Sequence, residues 1–467
     1  MDEAQQINRK VIVGVLMAGA FVTILNQTLL LNAIPPIMEE FGIELSLGQW
    51  LTTVFLLTNG VLIPISAFLI DRFTTRTLLF AALSIFTIGT VIGAVAPTFS
   101  ILLLARVVQA GGAGIMMPLM QTVMLSIYPP EKRGSAMGMF GLVIAFAPAV
   151  GPTLSGFVID HVSWRYLFYI ILPIALVTLG LAIRYMKDVT NRRETRLDVY
   201  SIITSTFGWG GLLYGFSIAG TAGWESIQAL MPIGIGAVSL ILFIWRQMNL
   251  EKPMLEFRVF RSKVFALTTF LTVLVFMLMI GTQTILPNYA QDVRQFSALE
   301  SGLILLPGAV VMGVMNPIAG KLFDKFGGKG LAIIGFGSIV ISESLLISLS
   351  MQTPLLYIAA MFVFLMFGIA LVVMPLTTAG INSLPPDLIA HGTAMMNTIR
   401  MVGGSIGTAI LISVMSSHAT ASDAPGMLEG MHAAYIVALA VAVVGFIASF
   451  ILTSSHASRK ASSSLQA

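Results

Sequence analysis

The sequence predicts an all-α polytopic membrane protein of fourteen transmembrane helices: two six-helix bundles with two further helices inserted between them. Three observations lead there. Of 467 residues, 57% are hydrophobic and only 10% charged, with a mean hydropathy of +0.93, whereas soluble domains carry about 25% charged and about 45–50% apolar residues. Fourteen apolar stretches of bilayer-crossing length, about 20 residues each, follow one another with short connections. The first six and the last six repeat at a nearly constant offset.

In chain order the spans are 11–34, 47–70, 78–96, 99–127, 135–160, 165–185, 198–218, 227–247, 264–290, 298–320, 330–350, 355–380, 393–415 and 432–453. Uninterrupted apolar runs exclude the alternating pattern of barrel strands, and only helices or closed barrels satisfy their backbone in lipid. The first span is longer than a signal-peptide core and lacks a small-residue cleavage site, so it is read as the first helix. An even number of spans puts both termini on one side. Of 25 Lys and Arg, Arg106 and Arg400 fall well inside spans and Arg165 and Arg294 in the loops or span ends of one side, leaving 21 in the loops, tails and span ends of the other. The positive-inside rule makes that richer side cytoplasmic, termini included, and predicts a multi-pass protein of the cell (cytoplasmic) membrane. The opposite loops carry Glu39, Glu40, Glu44, Glu225, Asp292, Asp423 and Glu429 instead.

The repeat is legible in short matches. Pro64-Ile-Ser-Ala-Phe-Leu-Ile-Asp71 corresponds to Pro317-Ile-Ala-Gly-Lys-Leu-Phe-Asp324, Gln27-Thr-Leu-Leu-Leu-Asn32 to Gln283-Thr-Ile-Leu-Pro-Asn288, Met117-Pro-Leu119 to Met374-Pro-Leu376, and Gly134-Ser-Ala-Met137 to Gly392-Thr-Ala-Met395. Spans 1–6 therefore correspond to spans 9–14, which sets the expected division at residues 1–187, an inserted pair at 188–263, and 264–467. Parallel six-helix halves around a midplane site are a transporter architecture that works by alternating access.

Several spans carry groups that lipid does not tolerate without a reason. Span 1 places Asn26 in Leu25-Asn26-Gln27-Thr28, a neutral group able to hydrogen-bond a substrate but unable to carry a proton. Between spans 2 and 3, Asp71 is flanked by Arg72 and Arg76, and in the repeat Asp324 is flanked by Lys325. A carboxylate among cations at a helix end suits a clasp with a neighbouring helix that breaks when the halves rock. Span 4 holds Arg106 with Gln109 one turn on; a buried Arg faces a cavity or partner, or else snorkels to the nearer surface. Met116 and Met120 follow, as candidates for an adaptable cavity wall or as helix-contact filler. Span 5 contains Pro148, Gly151, Pro152 and Gly156, small and helix-bending residues that favour close packing. In span 11, Glu343 is the one carboxylate well inside a span, about 18 Å from the basic end at 1.5 Å per residue. That makes it the default proton site, with a neutral Glu hydrogen-bonded by Ser342 and Ser344 as the alternative. Span 13 places Arg400 beside Asn397, to line a cavity or to snorkel.

These motifs carry a resemblance. Ala67-Phe-Leu-Ile-Asp71-Arg72-Phe-Thr74-Thr-Arg76 resembles G-x-L-a-D-r-x-G-r-[RK] of the major facilitator superfamily, with Ala67 and Thr74 in place of two glycines and a looser turn expected. The second copy keeps Gly320 and Gly327. Leu103-Leu-Ala-Arg106-Val-Val-Gln109-Ala-Gly is similar to l-x-x-x-R-x-x-q-G, and Ala147-Pro148-Ala-Val-Gly151-Pro152-Thr-Leu-Ser-Gly156 to the g-x-x-x-G-P-x-x-G-G motif of the antiporter branch, absent from the matching region Met401–Leu411. With Ser163-Trp-Arg, Leu197-Asp198 and Glu251-Lys-Pro-Met-Leu255, the chain resembles the fourteen-helix drug:proton antiporters of that superfamily. The resemblance implies the major facilitator fold, and proton-coupled export of lipophilic or amphipathic drugs, of the kind that confers antibiotic resistance. It gives Arg106 a part in proton coupling; the carboxylates that the sequence itself offers for that coupling are Glu343 and, after it, Asp71. In that family span 1 usually carries an Asp where this chain has Asn26, which lends weight to an alternative: a dedicated exporter of an endogenous metabolite or lipid.

Other classes find no residues to support them. Without Cys there is no thiolate chemistry and no Cys-zinc site, the five His form no ligand pattern, and no metal is expected. No phosphate-binding G-x-x-x-x-G-K-[ST] is present, so no cofactor is expected and the proton gradient is the energy source. An enzyme would need a clustered nucleophile, base or metal set that the chain lacks. The expected partners are a small lipophilic substrate and membrane lipids, not nucleic acid. A non-transporting receptor or scaffold is disfavoured by the short loops and tails.

Overall fold

The structure, a computed structural model, describes residues 9–30, 32–189, 198–419 and 423–452. Fourteen helices among them are long and apolar enough to cross a membrane. They are α1 Arg9–Leu29, α2 Trp50–Arg72, α3 Thr75–Ala94, α4 Phe99–Ile127, α5 Arg133–His161, α6 Arg165–Tyr185, α7 Val199–Ala222, α8 Ile227–Asn249, α9 Lys263–Asn288, α10 Ala298–Phe326, α11 Gly328–Leu346, α12 Leu355–Asn382, α13 Ile389–His418 and α14 Ala424–Ser449. Each expected span has its helix. The first is shorter than expected: α1 stops at Leu29, and a separate short helix, Ile34–Phe41, carries Pro35 and Pro36 in its first turn. Proline lacks the N–H that would continue the first ladder and suits a helix start.

Helix α1 packs on α4, α5 and α6, α3 on α4 and α6, and α2 on α4; in the second half α9 packs on α12, α13 and α14, α11 on α12 and α14, and α10 on α12. The seam between the halves is built by α5 against α10 and α12, and by α13 against α2 and α4. Small residues set the closeness of the first pairing. A Cβ on Gly138 would lie 2.6 Å from the carbonyl oxygen of Asn316, and one on Gly141 would lie 2.7 Å from the Asn316 side chain. Glycine lets the two backbones approach to a distance that any side chain would prevent.

The inserted pair leans on both halves through α7, which packs on α2 and on α13. Trp50 of α2 and Tyr214 of α7 stack with ring centroids 5.7 Å apart, and the Trp224 indole donates to Ser413 Oγ of α13 at 2.6 Å. Helix α8 holds to α7 by small-residue contacts at Gly208, Gly211 and Gly236. Polar bonds add to these: Arg246 pairs with Asp198 at 3.0 Å and Gln247 donates to Ser201 at 2.6 Å. Burial on its own would raise the Asp198 carboxyl, but the bonds from Arg246 and Ser201 outweigh it and hold the group below the usual carboxylate range. The expected basic cluster between Arg184 and Arg196 lies mostly outside the described residues, as do both termini.

Candidate functional site

The polar groups that a lipid-embedded protein must account for fall into four places: the basic end of the seam, a network inside the first half, a network on the seam near mid-depth, and Glu343.

At the basic end, α5 begins without help from its own chain, since Lys132 in the capping position provides no side-chain bond. The exposed N–H groups of its first turn are met from the other half. Asp324 of α10 accepts the backbone N–H groups of Gly134 and Ser135, both at 2.8 Å, and the Ser135 hydroxyl at 2.5 Å. An anionic carboxylate there satisfies orphan donors and meets the positive end of the helix dipole. The repeat places Asp71 of α2 at the first turn of α13, whose capping position, Leu388, likewise offers no side chain bond. Here the partner is a side chain: His391 Nε2 lies 3.1 Å from Asp71 Oδ2. The His391 Nδ1 accepts the backbone N–H of Glu256 at 3.3 Å, which leaves Nε2 as the donor to Asp71. Arg133 Nη1 adds a bond across the seam to Asn382 Oδ1 at 2.8 Å.

Of the flanking cations, Arg76 and Lys325 do not sit where a charge clasp would need them. Arg76 donates to the Ile183 carbonyl at 2.9 Å, tying α3 to α6 within the first half. Lys325 is exposed over the Phe326 ring, and Arg72 is exposed. The contacts of the two aspartates include a carboxylate on a helix start in one copy and a carboxylate–imidazole pair in the other. Nor is the first loop loosened by its missing glycines. Thr74 adopts an extended conformation at φ −70° and caps α3 by accepting the Thr77 N–H, while Gly327 at the matching place has φ +79°. His391 was the residue that the sequence did not single out. Its signal lay in the repeat, because it immediately precedes Gly392, the counterpart of Gly134.

Inside the first half, Arg106 is fully buried and does not snorkel. It donates to the Leu51 carbonyl at 3.2 Å and to Gln109 Oε1 at 2.9 Å, and lies 4.1 Å over the Phe55 ring. Gln109 in turn donates to Asn26 Oδ1 at 3.3 Å and to Thr90 Oγ1 at 3.0 Å, so that α1, α2, α3 and α4 meet in one network. Met116 and Met120, expected as cavity wall, are completely buried, and a Cβ on Gly19 of α1 would run into the Met116 methyl. The helical period points Met116 and Met120 into the α1–α4 packing and leaves Met117 half-buried between them. In α5, Gly151 meets α1, where a Cβ would lie 2.8 Å from Thr28 Cβ, and Gly156 lies near Asn32. Pro148 is exposed, and the side chain of Pro152 lies outside what the structure describes.

On the seam, Arg400 is 3% exposed. Its Nη1 donates to Thr377 Oγ1 of α12 at 3.2 Å, its Nη2 donates to Asn397 Oδ1, and the guanidinium lies 4.8 Å from the Phe276 ring centre. Asn397 Nδ2 crosses to Gln121 Oε1 of α4 at 2.6 Å. In the second half, Glu343 of α11 is fully buried and accepts the Thr282 hydroxyl of α9 at 3.2 Å. Its neighbours Ser342 and Ser344 are not its partners, since they donate to the Met361 and Val340 carbonyls. Glu343 Oε2 and the buried Tyr435 hydroxyl of α14 both lack a protein partner, and the two residues lie within electrostatic range. The first-half proton candidates, Asp71 on α2 and Arg106 on α4, share none of these hydrogen bonds with Glu343 on α11.

Comparison with known proteins agrees with this architecture. A family model described as Major Facilitator Superfamily matches residues 16–408. The chain is 59% identical over 454 residues to the uncharacterized MFS-type transporter YcnB of Bacillus subtilis (strain 168), covering 96% of each chain. It is 41% identical over 453 residues to the lincomycin resistance protein LmrB of Listeria monocytogenes, covering 95% of this chain and 96% of that one. The multidrug transporter protein MdtP of Bacillus subtilis is 28% identical over 419 residues, 89% of this chain and 77% of that one. Among solved structures, the human organic anion transporter MFSD10 (TETRAN) superposes with a TM-score of 0.71 at 16% identity, over 95% of this chain and 100% of that one, a likeness of fold. Fourteen membrane-length helices in this arrangement, matched along almost the whole chain, establish a multi-pass membrane transporter and not an enzyme: the chain belongs to the Major Facilitator Superfamily.

Proposed function

We propose that this protein exports lipophilic or amphipathic drugs across the cell membrane in exchange for protons, by alternating access. The observation that carries the reading is the pair of clasps at one end of the seam. The hydrogen bonds Asp324 to Gly134 and Ser135, Asp71 to His391, Arg133 to Asn382, Asn316 to Gly141, and Asn397 to Gln121 all lie between the basic end and mid-depth. With the basic end facing the cytoplasm, as its cations favour, this is a state closed to the cytoplasm. Rocking the halves exchanges these bonds for solvent and opens that side. The similarity over 95% of the chain to a protein named for lincomycin resistance favours a drug substrate. Glu343 is the candidate proton carrier, because it is a buried carboxyl with one oxygen free of protein partners.

The reading is tested in inside-out vesicles by following drug-dependent proton movement, with lincomycin and a panel of lipophilic compounds, for the wild type and for Glu343→Gln at matched expression. Drug-triggered proton release from wild-type vesicles, abolished in the variant, supports both the antiport and its carrier. A wild-type response that Glu343→Gln leaves unchanged removes Glu343 from the mechanism. No response to any compound overturns the multidrug reading in favour of a dedicated exporter of an endogenous metabolite or lipid. Asn26, in the network with Gln109, is the residue that favours this second reading, since it removes the carboxylate usual at that place.

A further inference from the structure

The Arg400 network on the seam has open ends of one kind. No protein acceptor reaches Arg400 Nε or Gln121 Nε2, and the buried Thr393 hydroxyl, one turn before Asn397, is also without a partner. The connected groups are Thr377, Asn397 and Gln121, all neutral. Among the described residues no carboxylate lies within ion-pair distance of Arg400, and the buried Glu343 is engaged by Thr282. A full positive charge, nearly inaccessible and surrounded by dipoles, therefore stands with spare donors and no counter-charge.

We propose that Arg400, Asn397 and Gln121 form a recognition site for the anionic group of an amphipathic substrate, a carboxylate borne on a hydrophobic body. The proposal rests on the export reading above and adds the charge of what is exported. A buried unpaired cation is costly, and neutral dipoles solvate it without neutralising it. A carboxylate does both, and its two oxygens match adjacent guanidinium donors in a planar fork. The unpaired amide nitrogen of Gln121, joined to Arg400 through Asn397, supplies a further donor beside it. Phe276, already stacked on the guanidinium, offers an apolar face to the hydrophobic body. The location suits a carried ligand. Arg400 and Asn397 stand 11 and 8 residues into α13 from Ile389, so about 16 and about 12 Å from the basic end, and Gln121 belongs to the opposite half. A ligand held there touches both moving bodies near the membrane midplane. The other buried guanidinium, Arg106, differs in this respect, because all its partners belong to the first half.

The test uses the full-length protein in nanodiscs and three fluorescent probes with one hydrophobic body: 4-(1-pyrenyl)butyrate, its methyl ester, and 4-(1-pyrenyl)butylamine. The wild type is expected to bind the carboxylate about tenfold more tightly than the ester, a difference of about 1.4 kcal/mol, and to bind the amine no better than the ester. Arg400→Gln should bring the carboxylate-to-ester ratio close to one while ester affinity is retained, which also reports that the variant is folded. Arg400→Lys should keep part of the preference, and Gln121→Leu should lose a few-fold of it. The proposal is overturned if the wild type does not distinguish the three probes, if it binds none of them, or if the carboxylate preference survives Arg400→Gln. Should Arg400→Gln fail to bind the ester, the ratio in Arg400→Lys and Gln121→Leu decides: a preference undiminished in both overturns the site. Equal binding of all three probes would refute the charge selectivity alone and leave amphipathic export standing. A silent proton assay in vesicles would be the mark against export itself.

Discussion

Replacing Asp324 by Asn should open the basic end of the seam. In the wild type the carboxylate accepts three hydrogen bonds, from the N–H groups of Gly134 and Ser135 and from the Ser135 hydroxyl, all at 2.5–2.8 Å. An amide keeps one acceptor oxygen and turns its other end into a donor facing N–H groups. The loss combines a charge-assisted bond, about 1.5–3 kcal/mol, with the interaction of the carboxylate with the start of α5, about 0.3–1 kcal/mol for a partly exposed group. Because the Asn reforms one bond, about 2 kcal/mol is the expected net, a shift of roughly thirtyfold in the ratio of closed to open seam. The chain has no Cys, so spin labels can be placed without first removing native thiols. Labels at Lys132 and Lys321, both exposed and on opposite sides of the seam, report the separation by pulsed dipolar spectroscopy. The wild type should give one dominant short distance, and Asp324→Asn a second, longer component of comparable or greater weight. Ser135→Ala removes only the hydroxyl bond and should shift the ratio several-fold at most, about 1 kcal/mol. A distance distribution identical in Asp324→Asn and the wild type would refute the idea that this carboxylate holds the halves together.

Other perturbations test neighbouring parts of the argument. His391→Ala leaves Asp71 without its imidazole and should shift the same equilibrium in the same direction, by about 1 kcal/mol, with the label pair moved to the α2–α13 contact. Gly138→Ala places a Cβ 2.6 Å from the Asn316 carbonyl oxygen; since backbone cannot swing aside, it should favour the open seam even with both clasps intact, and a closed-seam distance in this variant would contradict the packing. Gln109→Leu cuts Arg106 off from Asn26 and Thr90 and should destabilise the first half by about 1–3 kcal/mol through the unsatisfied buried donor, read as a lower melting temperature in detergent. Outside the membrane, burial on its own would raise the Glu40 carboxyl, but the bonds from Arg165 and Trp164 and the Arg165 charge together outweigh it and hold the group below its ordinary range. A lowered folded value means that this contribution is complete above the usual Glu range and fades as pH falls through the lowered value. It should be small for so exposed a pair, and Arg165→Gln should flatten the acid limb of the stability curve, whereas an unchanged limb would count against it.

How much of this was readable in advance differs from residue to residue. Arg106 and Gln109 lie one turn apart, so their bond follows from helix periodicity once span 4 is recognised. The first helix was overextended because hydropathy continues past Leu29, while backbone continuity was broken by Pro35 and Pro36, which mark the next helix's start. For Met116 and Met120 the sequence left cavity wall and helix-contact filler both open, since period alone tells which residues share a face but not which face meets another helix. Ser342 and Ser344 adjoin Glu343 in sequence, yet neighbours along a helix point to different sides, and its actual partner, Thr282, is 61 positions away.

The sequence by itself determined the membrane class, the fourteen helices, the repeat and the unusual charges inside spans, because burial in lipid acts on local stretches and demands long apolar runs. Only the tertiary structure decided which of those charges meet. That Asp324 caps a helix in the other half, that Asp71 finds His391, and that Arg400 joins Asn397 and Gln121 without a counter-charge are contacts across hundreds of positions. They depend on how closely glycine faces let the halves approach, a property of two surfaces together and of neither stretch of sequence alone.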